Sequence, residues 1–268
     1  MSGRISVTTH GSMQILTLDN PAKRNAVTPA MLLELAEHAR RIAADDAVRV
    51  VIVRGAGTVF CSGFDVTALP PADAVDDQAD DFPGADVLTV AAQALCECPQ
   101  PVVAAIQGPC FGAGGELAMC ADFRLGDTGM SFCMPPARLG LVYSAEGLHR
   151  FVRALGVQRT RDLFYTARVV RSQEALTMGL LDRVWEPDAF EGEIETFCQL
   201  LADNAPQSLR GTKQILQQYL APLPWQAVPA AQAQSEVARL RMQAFRSVDH
   251  AEGRAAFAAK RKPVFSGS

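Results

Sequence analysis

The chain contains 268 residues, of which 49% are hydrophobic and 20% charged, a balance typical of a globular protein with a sizeable core. Its formal net charge of −4 argues against nucleic acid or an anionic membrane as the main partner. No uninterrupted apolar run reaches the roughly 18 residues of a membrane-spanning helix, so no membrane partner is expected.

Seven cysteines occur in the chain, an odd number that does not fit a framework of paired disulfides. Apolar residues surround five of them, as is typical of buried, reduced thiols: Cys61, Cys110, Cys120, Cys133 and Cys198. Because the N-terminal residues also lack the apolar block of a signal peptide, we expect a cytoplasmic protein. Cys96 and Cys98 stand apart from four scattered histidines, so no metal site is expected.

The first half of the chain alternates strand patterns with helix patterns. Strands are predicted at residues 13–18, 48–57, 101–108 and, less clearly, 123–125. A helix is predicted after Thr28 and Pro29, because apolar residues then recur at helical spacing through Ile42. This alternation predicts a layered α/β fold.

The second half is predicted to be mainly helical. Its helices are expected at residues 145–155, 158–166, 172–179, 188–203, 206–220 and 229–247. In the first half, residues 70–86 are acidic, rich in alanine and proline, and without periodicity. Such a composition predicts a mobile surface loop, although a long loop in a compact domain also fits a lid or pocket wall.

Two stretches share the order of strand, glycine-rich turn and helix. They are RGAGTVFCSGFDV at residues 54–66 and IQGPCFGAGGELAM at residues 106–119. Glycines there permit close backbone approach and can direct amide N–H groups toward a ligand. Neither stretch has the spacing of a phosphate-binding loop. The other interpretation is an oxyanion hole, in which one amide from each turn holds a carbonyl oxygen as it becomes negative.

Glu116 is a lone carboxylate in the second stretch. Its neighbours Leu117 to Cys120 are apolar, which predicts a buried helix, and burial of a carboxylate that has no role is costly. Beside an oxyanion hole, such a carboxylate would suit proton transfer in the enolate chemistry of a thioester. The alternative is that the glycines serve packing alone and that Glu116 is a solvated helix residue.

Six segments, in the right order, resemble the crotonase superfamily, the enoyl-CoA hydratase/isomerase group. They are LDNPAKRNAV, FCSGFDV, IQGPCFGAGGELAMCAD, GLHRFVRALG, ARVVRSQEALTMGLLDRV and EGRAAFAAKRKPVF. The resemblance implies an α/β crotonase fold, in which a spiral of ββα units forms the core and the acyl-CoA pocket over residues 1–200. Residues 201–268 are then a helical region that assembles homotrimers or hexamers and contacts the adenine of CoA.

The resemblance also implies a set of site residues. The amides of Phe64 and Ala113 form the oxyanion hole, with alanine where the family most often has glycine, and Glu116 handles the proton. Contacts with CoA are implied for Lys23, Arg24, Ala26, Phe64, Asp65, Phe257 and Lys260. The alternatives for the last two are a helix anchor and part of a solvated basic run. CoA belongs to the substrate, and no separate cofactor or metal is expected.

The chain departs from the family at one position. Hydratases of the family use a second glutamate, and Pro136 stands at its place here. Proline has neither an acidic side chain nor an amide N–H, so it cannot donate that proton. Glu146 is a candidate substitute, whose alternative role is to complement the dipole at a helix start, and Tyr143 is a weaker candidate.

We therefore expect an enzyme of this family that adds water to a 2-enoyl-CoA, with fatty-acid oxidation as the commonest setting. Double-bond isomerisation, or other enolate chemistry on a CoA thioester, is the alternative reaction. The alternative outside enzymes is an acyl-CoA-binding protein of low activity, since Pro136 removes the usual second acid.

Overall fold

The computed structural model of the chain describes residues 3–68, 85–219, 239, 242, 243 and 245–264. Strands and helices alternate along these residues around one large sheet. None of the helices in the described ranges is long and apolar enough to cross a membrane.

Nine strands form two sheets in the described residues. In chain order they are β1 (Arg4–His10), β2 (Met13–Asp19), β3 (Val50–Gly55), β4 (Val102–Ile106), β5 (Pro109–Phe111), β6 (Phe123–Asp127), β7 (Ser131–Cys133), β8 (Val170–Arg171) and β9 (Arg183–Trp185). The larger sheet has the spatial order β1-β2-β3-β4-β6-β9, and the smaller has β5-β7-β8. Only β1 and β2 pair antiparallel in the larger sheet. The segments that follow β2, β3 and β4 therefore meet at one edge, where α/β sheets commonly bind ligands.

The helices cover both faces of this sheet. They are α1 (Pro29–Ala43), α2 (Ala85–Glu97), α3 (Ala113–Met119), α4 (Ala145–Thr166), α5 (Ser172–Thr177), α6 (Pro187–Ala202), α7 (Pro206–Tyr219) and α8 (Val248–Ala258). The Thr28 hydroxyl accepts a hydrogen bond from the amide of Met31 at 3.3 Å, which caps α1 at the predicted place. Gly156 interrupts α4 with a non-helical backbone at φ 77°.

Strand β3 shows how the core divides between the two faces. Val51 and Val53 point into a core shared with α1 and α2, whereas Val50 and Ile52 pack with α6. Because successive side chains of a strand point to opposite faces, a strand covered on both faces is apolar at every position. The β-branched run at residues 48–57 is therefore the buried central strand that its composition predicts.

Most predicted elements are confirmed, with shifted ends. The two helices expected at residues 145–155 and 158–166 are the two parts of α4, divided at Gly156. Five strands were not predicted. Of these, β5, β7, β8 and β9 have only two or three residues, too few to show a period, and β1 consists mainly of exposed residues. Residues 70–86 and 229–247 lie largely outside the described residues, and the domain boundary near residue 200 stays a prediction.

The five cysteines expected to be buried are all buried and carry free thiols.

Candidate active site

An extended segment, residues 60–65, forms one wall of the site. On one side it pairs with the start of β5: the Cys61 amide donates to the Pro109 carbonyl at 3.0 Å, and the Phe111 amide donates to the Cys61 carbonyl at 2.8 Å. On its other side, the Asp65 amide donates to the carbonyl of Val27 at 2.9 Å. The two glycine-rich stretches are thus joined through backbone hydrogen bonds.

Phe64 and Ala113 line the same cavity. Residues 63 and 65 supply the bonds to Val27, so the Phe64 N–H points away from that segment. Ala113 is the first residue of α3, where a helical N–H has no partner within the helix. Within the described residues, neither amide donates to a protein acceptor. This leaves two donors for an oxygen atom of a ligand.

Close packing at glycine holds α3 against the extended segment. A Cβ placed on Gly114 would come within 2.5 Å of the Cys61 Cβ atom. Since real Cβ atoms do not approach so closely, a larger residue at position 114 would push α3 away from Cys61. The glycine therefore fixes the distance between the two stretches that carry the donors.

The cavity itself has a volume of about 130 Å³ and mostly apolar walls. Its walls include Phe64, Ala113, Glu116, Pro136, Tyr143 and Phe257. A cavity of about 10–15 Å³ already holds one water molecule, so the space suits a short acyl group together with a water molecule.

Glu116 is buried in this apolar cavity and only 1% exposed. Tyr143 Oη donates a hydrogen bond to Glu116 Oε2 at 2.5 Å, and Arg150 Nη1 donates to Glu116 Oε1 at 2.7 Å. Arg150 is itself largely buried. A buried carboxylate is tolerated when a cation and hydrogen bonds compensate its charge, and these contacts do so. The sequence-based prediction of a buried Glu116 is confirmed.

Tyr143 is a hydrogen-bond donor under ordinary conditions. Burial, followed by the negative charge of Glu116, raises the pKa of its hydroxyl well above the usual value. The phenol therefore keeps its proton at neutral pH.

The turn expected to contact CoA lies beside the extended segment. Lys23 Nζ forms an ion pair with Asp65 Oδ2 at 2.6 Å, and the Ser62 amide donates to the Arg24 carbonyl at 3.0 Å. Burial alone would raise the pKa of Asp65, but hydrogen bonds from Lys23 and Thr67 hold it below its usual value. The structure brings this turn to the edge of the cavity.

The other residues expected to contact CoA are less uniformly placed. Ala26 is buried next to the same turn. Phe257, on α8, lines the cavity and is 63% exposed, whereas Lys260 follows the end of α8 on the surface. Their contact with the adenine of CoA stays a prediction.

The model of the enoyl-CoA hydratase/isomerase family matches residues 8–268. The chain belongs to the enoyl-CoA hydratase/isomerase family. It is therefore an enzyme of this family, and an acyl-CoA substrate fits the family.

Individual relatives agree with this assignment. The chain is 32% identical to a carnitinyl-CoA dehydratase of Citrobacter koseri over 272 residues, which cover 100% of both chains. It is similar to the structure of an enoyl-CoA hydratase/carnithine racemase from Magnetospirillum magneticum, with 33% identity, a TM-score of 0.76 and coverage of 98% and 96%. A methylmalonyl-CoA decarboxylase shares the fold, at 24% identity and a TM-score of 0.87 over 100% of both chains. The crotonase fold is thus confirmed.

Pro136, which stands where family hydratases have their second acid, lies in the wall of the site. Pro136 is buried at the start of a 3₁₀ turn, Pro136–Leu139, and lines the cavity. The position of Glu146 does not support its expected role as a substitute acid, because its side chain is exposed on the first turn of α4 and it is not among the described residues that line the cavity. Its position instead complements the dipole of α4, which was the alternative interpretation.

Two largely buried polar residues in or near the site were not identified from the sequence. Arg150 gave no signal, because a cation in the segment GLHRFVRALG resembles any surface residue until α4 is placed against α3. Asn25, fully buried, donates from Nδ2 to the carbonyl of Ala56 at 2.9 Å and to that of Val59 at 2.6 Å. Its place in a polar turn, between Arg24 and Ala26, was the one available clue.

Proposed function

We propose that the protein adds water to the double bond of a 2-enoyl-CoA thioester and catalyses the reverse dehydration. The observation that carries this proposal is the Glu116 carboxylate, buried in the cavity that Phe64 and Ala113 also line. A base in the same cavity as two amides that donate to no acceptor within the described residues is the arrangement that enolate chemistry on a thioester requires.

The two amides would hold the thioester oxygen. As the oxygen gains negative charge, each hydrogen bond strengthens, and one such donor typically contributes about 10²–10³ in rate. The polarised carbonyl draws electrons from C3, which becomes the site of attack.

Glu116 would then orient and activate the attacking water. Arg150 and Tyr143 each engage one carboxylate oxygen. A carboxylate oxygen can accept more than one hydrogen bond, so Glu116 can also bind a water molecule in the proposed reaction. The water oxygen bonds to C3, one water proton passes to Glu116, and the enolate charge rests on the thioester oxygen.

The names of the relatives support this reaction. A carnitinyl-CoA dehydratase, 32% identical over the whole chain, removes water from a CoA thioester, which is the reverse of hydration. We propose the general reaction and not its specific substrate, because the residues that line the cavity do not identify one acyl group.

Isomerisation is the second candidate, and one observation favours it. In the described walls of the cavity, Glu116 is the only carboxylate. A single base suffices to carry a proton between C2 and C4. If that base is too weak to support any turnover, the protein is an acyl-CoA-binding relative.

Further properties belong to the same proposal. We propose that CoA enters only as part of the substrate, without a separate cofactor or metal. We also propose that the C-terminal helical region assembles homotrimers or hexamers, and that the enzyme works in the cytoplasm.

The test is loss of the conjugated thioester absorbance when the protein is mixed with crotonyl-CoA. We expect turnover by the unmodified protein and a loss of about 10²–10⁴ in Glu116→Gln, because the amide cannot accept the water proton. Glu146→Gln, a matched change of an exposed glutamate, should retain activity. A product with a shifted double bond would contradict the proposed hydration and support isomerisation. Tight binding of acyl-CoA without turnover would contradict both reactions and support an acyl-CoA-binding protein.

A further inference from the structure

Hydration of an enoyl thioester needs two proton transfers, one from water and one to C2. Among the described residues that line the cavity, only Glu116 and Tyr143 carry side chains that titrate. Pro136 lies in the same wall and has no proton to donate. The second transfer therefore falls to Glu116 itself or to Tyr143.

We propose that Tyr143 is the second catalytic residue: its hydroxyl donates the proton to C2 and regains a proton from Glu116. This inference rests on the proposed hydration and supplies its second step. After water has bonded to C3 and given one proton to Glu116, the enolate electrons return from the thioester oxygen to C2, which takes the Tyr143 proton. Protonated Glu116 then passes its proton to the phenolate oxygen, and both side chains are restored.

The contact between the two side chains suits direct transfer. Tyr143 Oη lies 2.5 Å from Glu116 Oε2, the short separation of a charge-assisted hydrogen bond. Arg150 binds the other carboxylate oxygen, Oε1, at 2.7 Å. The two oxygens therefore have separate partners, and Oε2 is the one that exchanges a proton with the phenol.

The enolate is a stronger base than a phenolate, so the phenol can protonate it. Burial and the charge of Glu116 raise the pKa of the Tyr143 hydroxyl, which keeps the donor form present at neutral pH. Tyr143 lines the same cavity as Phe64 and Ala113, whose amides hold the enolate oxygen in the proposed reaction.

Packing fixes the Tyr143 ring. A Cβ on Gly147 would lie 2.5 Å from Tyr143 Cε1, so only glycine leaves room for the ring at the first turn of α4. The rings of Phe164 and Tyr143 pack edge to face, with centroids 5.2 Å apart. The hydroxyl is thereby directed to Glu116 before any substrate arrives, which is the preorganisation that proton transfer needs.

The test is the variant Tyr143→Phe, which keeps the ring and removes the hydroxyl. Two reactions are measured: hydration of crotonyl-CoA, and exchange of the C2 protons of butanoyl-CoA in D₂O by NMR. We expect both rates to fall about 10²–10⁴-fold, the range for general acid–base catalysis, with KM changed less than about threefold. Tyr165→Phe is the matched control, since Tyr165 lies on α4 and is 77% exposed.

The two measurements distinguish the proton transfer from Glu116 through Tyr143 to C2, called the relay, from the hydration reaction. If the unmodified protein hydrates crotonyl-CoA and Tyr143→Phe does so equally well, the relay is wrong and the hydratase stands. If hydration is absent but C2 exchange occurs and depends on Tyr143, the hydratase is wrong and the relay stands. A loss in Tyr143→Phe that lies in KM or in thermal stability, with kcat retained, shows a structural role and overturns the relay.

Discussion

At the scale of single residues, Arg150 explains how Glu116 stays charged in an apolar cavity. The guanidinium lies 2.7 Å from one carboxylate oxygen, and both side chains are largely buried. Removal of one partner from a buried ion pair leaves an uncompensated charge, which is commonly worse than the loss of both partners. The pair should therefore behave as a unit.

This coupling can be measured by chemical denaturation. We expect Arg150→Met to lower the free energy of unfolding by about 3–5 kcal/mol, because Glu116 is then buried without its cation. The double variant with Glu116→Gln should recover a substantial part of that loss. Arg153→Met, an exposed arginine one turn further along α4, is the control and should change little. Equal instability of the single and the double variant would contradict a coupled pair.

The burial of Glu116 was predicted from the sequence, but its contacts with Arg150 and Tyr143 were not. Glu116 was found because a carboxylate among apolar residues is unusual enough to predict a role. Tyr143, just before α4, and Arg150, on α4, reach it from more than 25 positions away along the chain. Local pattern carries no information about which cation faces a buried carboxylate, so the structure was needed.

At the scale of secondary-structure elements, α8 supports the wall of the cavity that contains Pro136. His250 Nδ1 lies 2.6 Å from the Leu139 carbonyl oxygen, at the end of the 3₁₀ turn that starts at Pro136. The same helix brings Phe257 to the cavity. Docking of α8 therefore shapes the site, although the helix lies far from Glu116 in sequence.

This docking should depend on pH. Burial, and then the positive charge of Arg254, lower the pKa of His250 below its usual 6.5, while the bond to the Leu139 carbonyl acts in the opposite direction. A lowered pKa in the folded state means that the unfolded chain takes up the proton first. The contribution to stability is therefore complete above about pH 6.5 and is lost as the pH falls through the folded-state pKa.

We expect the free energy of unfolding to fall between pH 7.5 and pH 5 more steeply in the unmodified protein than in His250→Gln, which cannot titrate. Denaturation with urea at several pH values measures this difference. His10→Gln, at an exposed histidine, is the control for unrelated titration. The same pH dependence in the unmodified protein and in His250→Gln would show that titration of His250 does not affect the free energy of unfolding.

Elements were predicted well where they are long and periodic. The helix after Thr28 and the buried strand at residues 48–57 carry their own caps or apolar runs, and local chemistry determines them. The smaller sheet was missed because its strands are short and pair only after distant segments meet. Tertiary structure determines such strands, so no local sequence pattern predicts them.

At the scale of the whole molecule, α7 is tied to the sheet by one buried lysine. Lys213 Nζ donates to Asp122 Oδ2 at 2.6 Å and to the Gln100 carbonyl at 3.0 Å. Asp122 Oδ2 also accepts from the amide of Val102, the first residue of β4, at 2.8 Å. A residue of the C-terminal helical region thus completes the hydrogen bonds around the start of a central strand.

Lys213→Met should lower the free energy of unfolding by about 1.5–3 kcal/mol, because charged hydrogen bonds are lost while the aliphatic stem is retained. Urea denaturation measures the loss, with Lys262→Met as the exposed control. Since the cavity is built from other residues, kcat should change little. No loss of stability would show that Lys213 does not hold α7 against the sheet.

The order of the six family segments predicted the fold of the whole chain, because each segment carries part of the same architecture. The reaction was harder to predict. Pro136 removes a family residue, and only the structure shows that Tyr143 and not Glu146 lies against Glu116.

The most direct test of the proposed hydration is the product formed from crotonyl-CoA in water enriched in ¹⁸O. Mass spectrometry of that product should show one added water, with the heavy oxygen on C3, in the unmodified protein. Glu116→Gln should give this product at least about 10²-fold more slowly. A product without the label, or equal labelling by Glu116→Gln, would contradict hydration by Glu116.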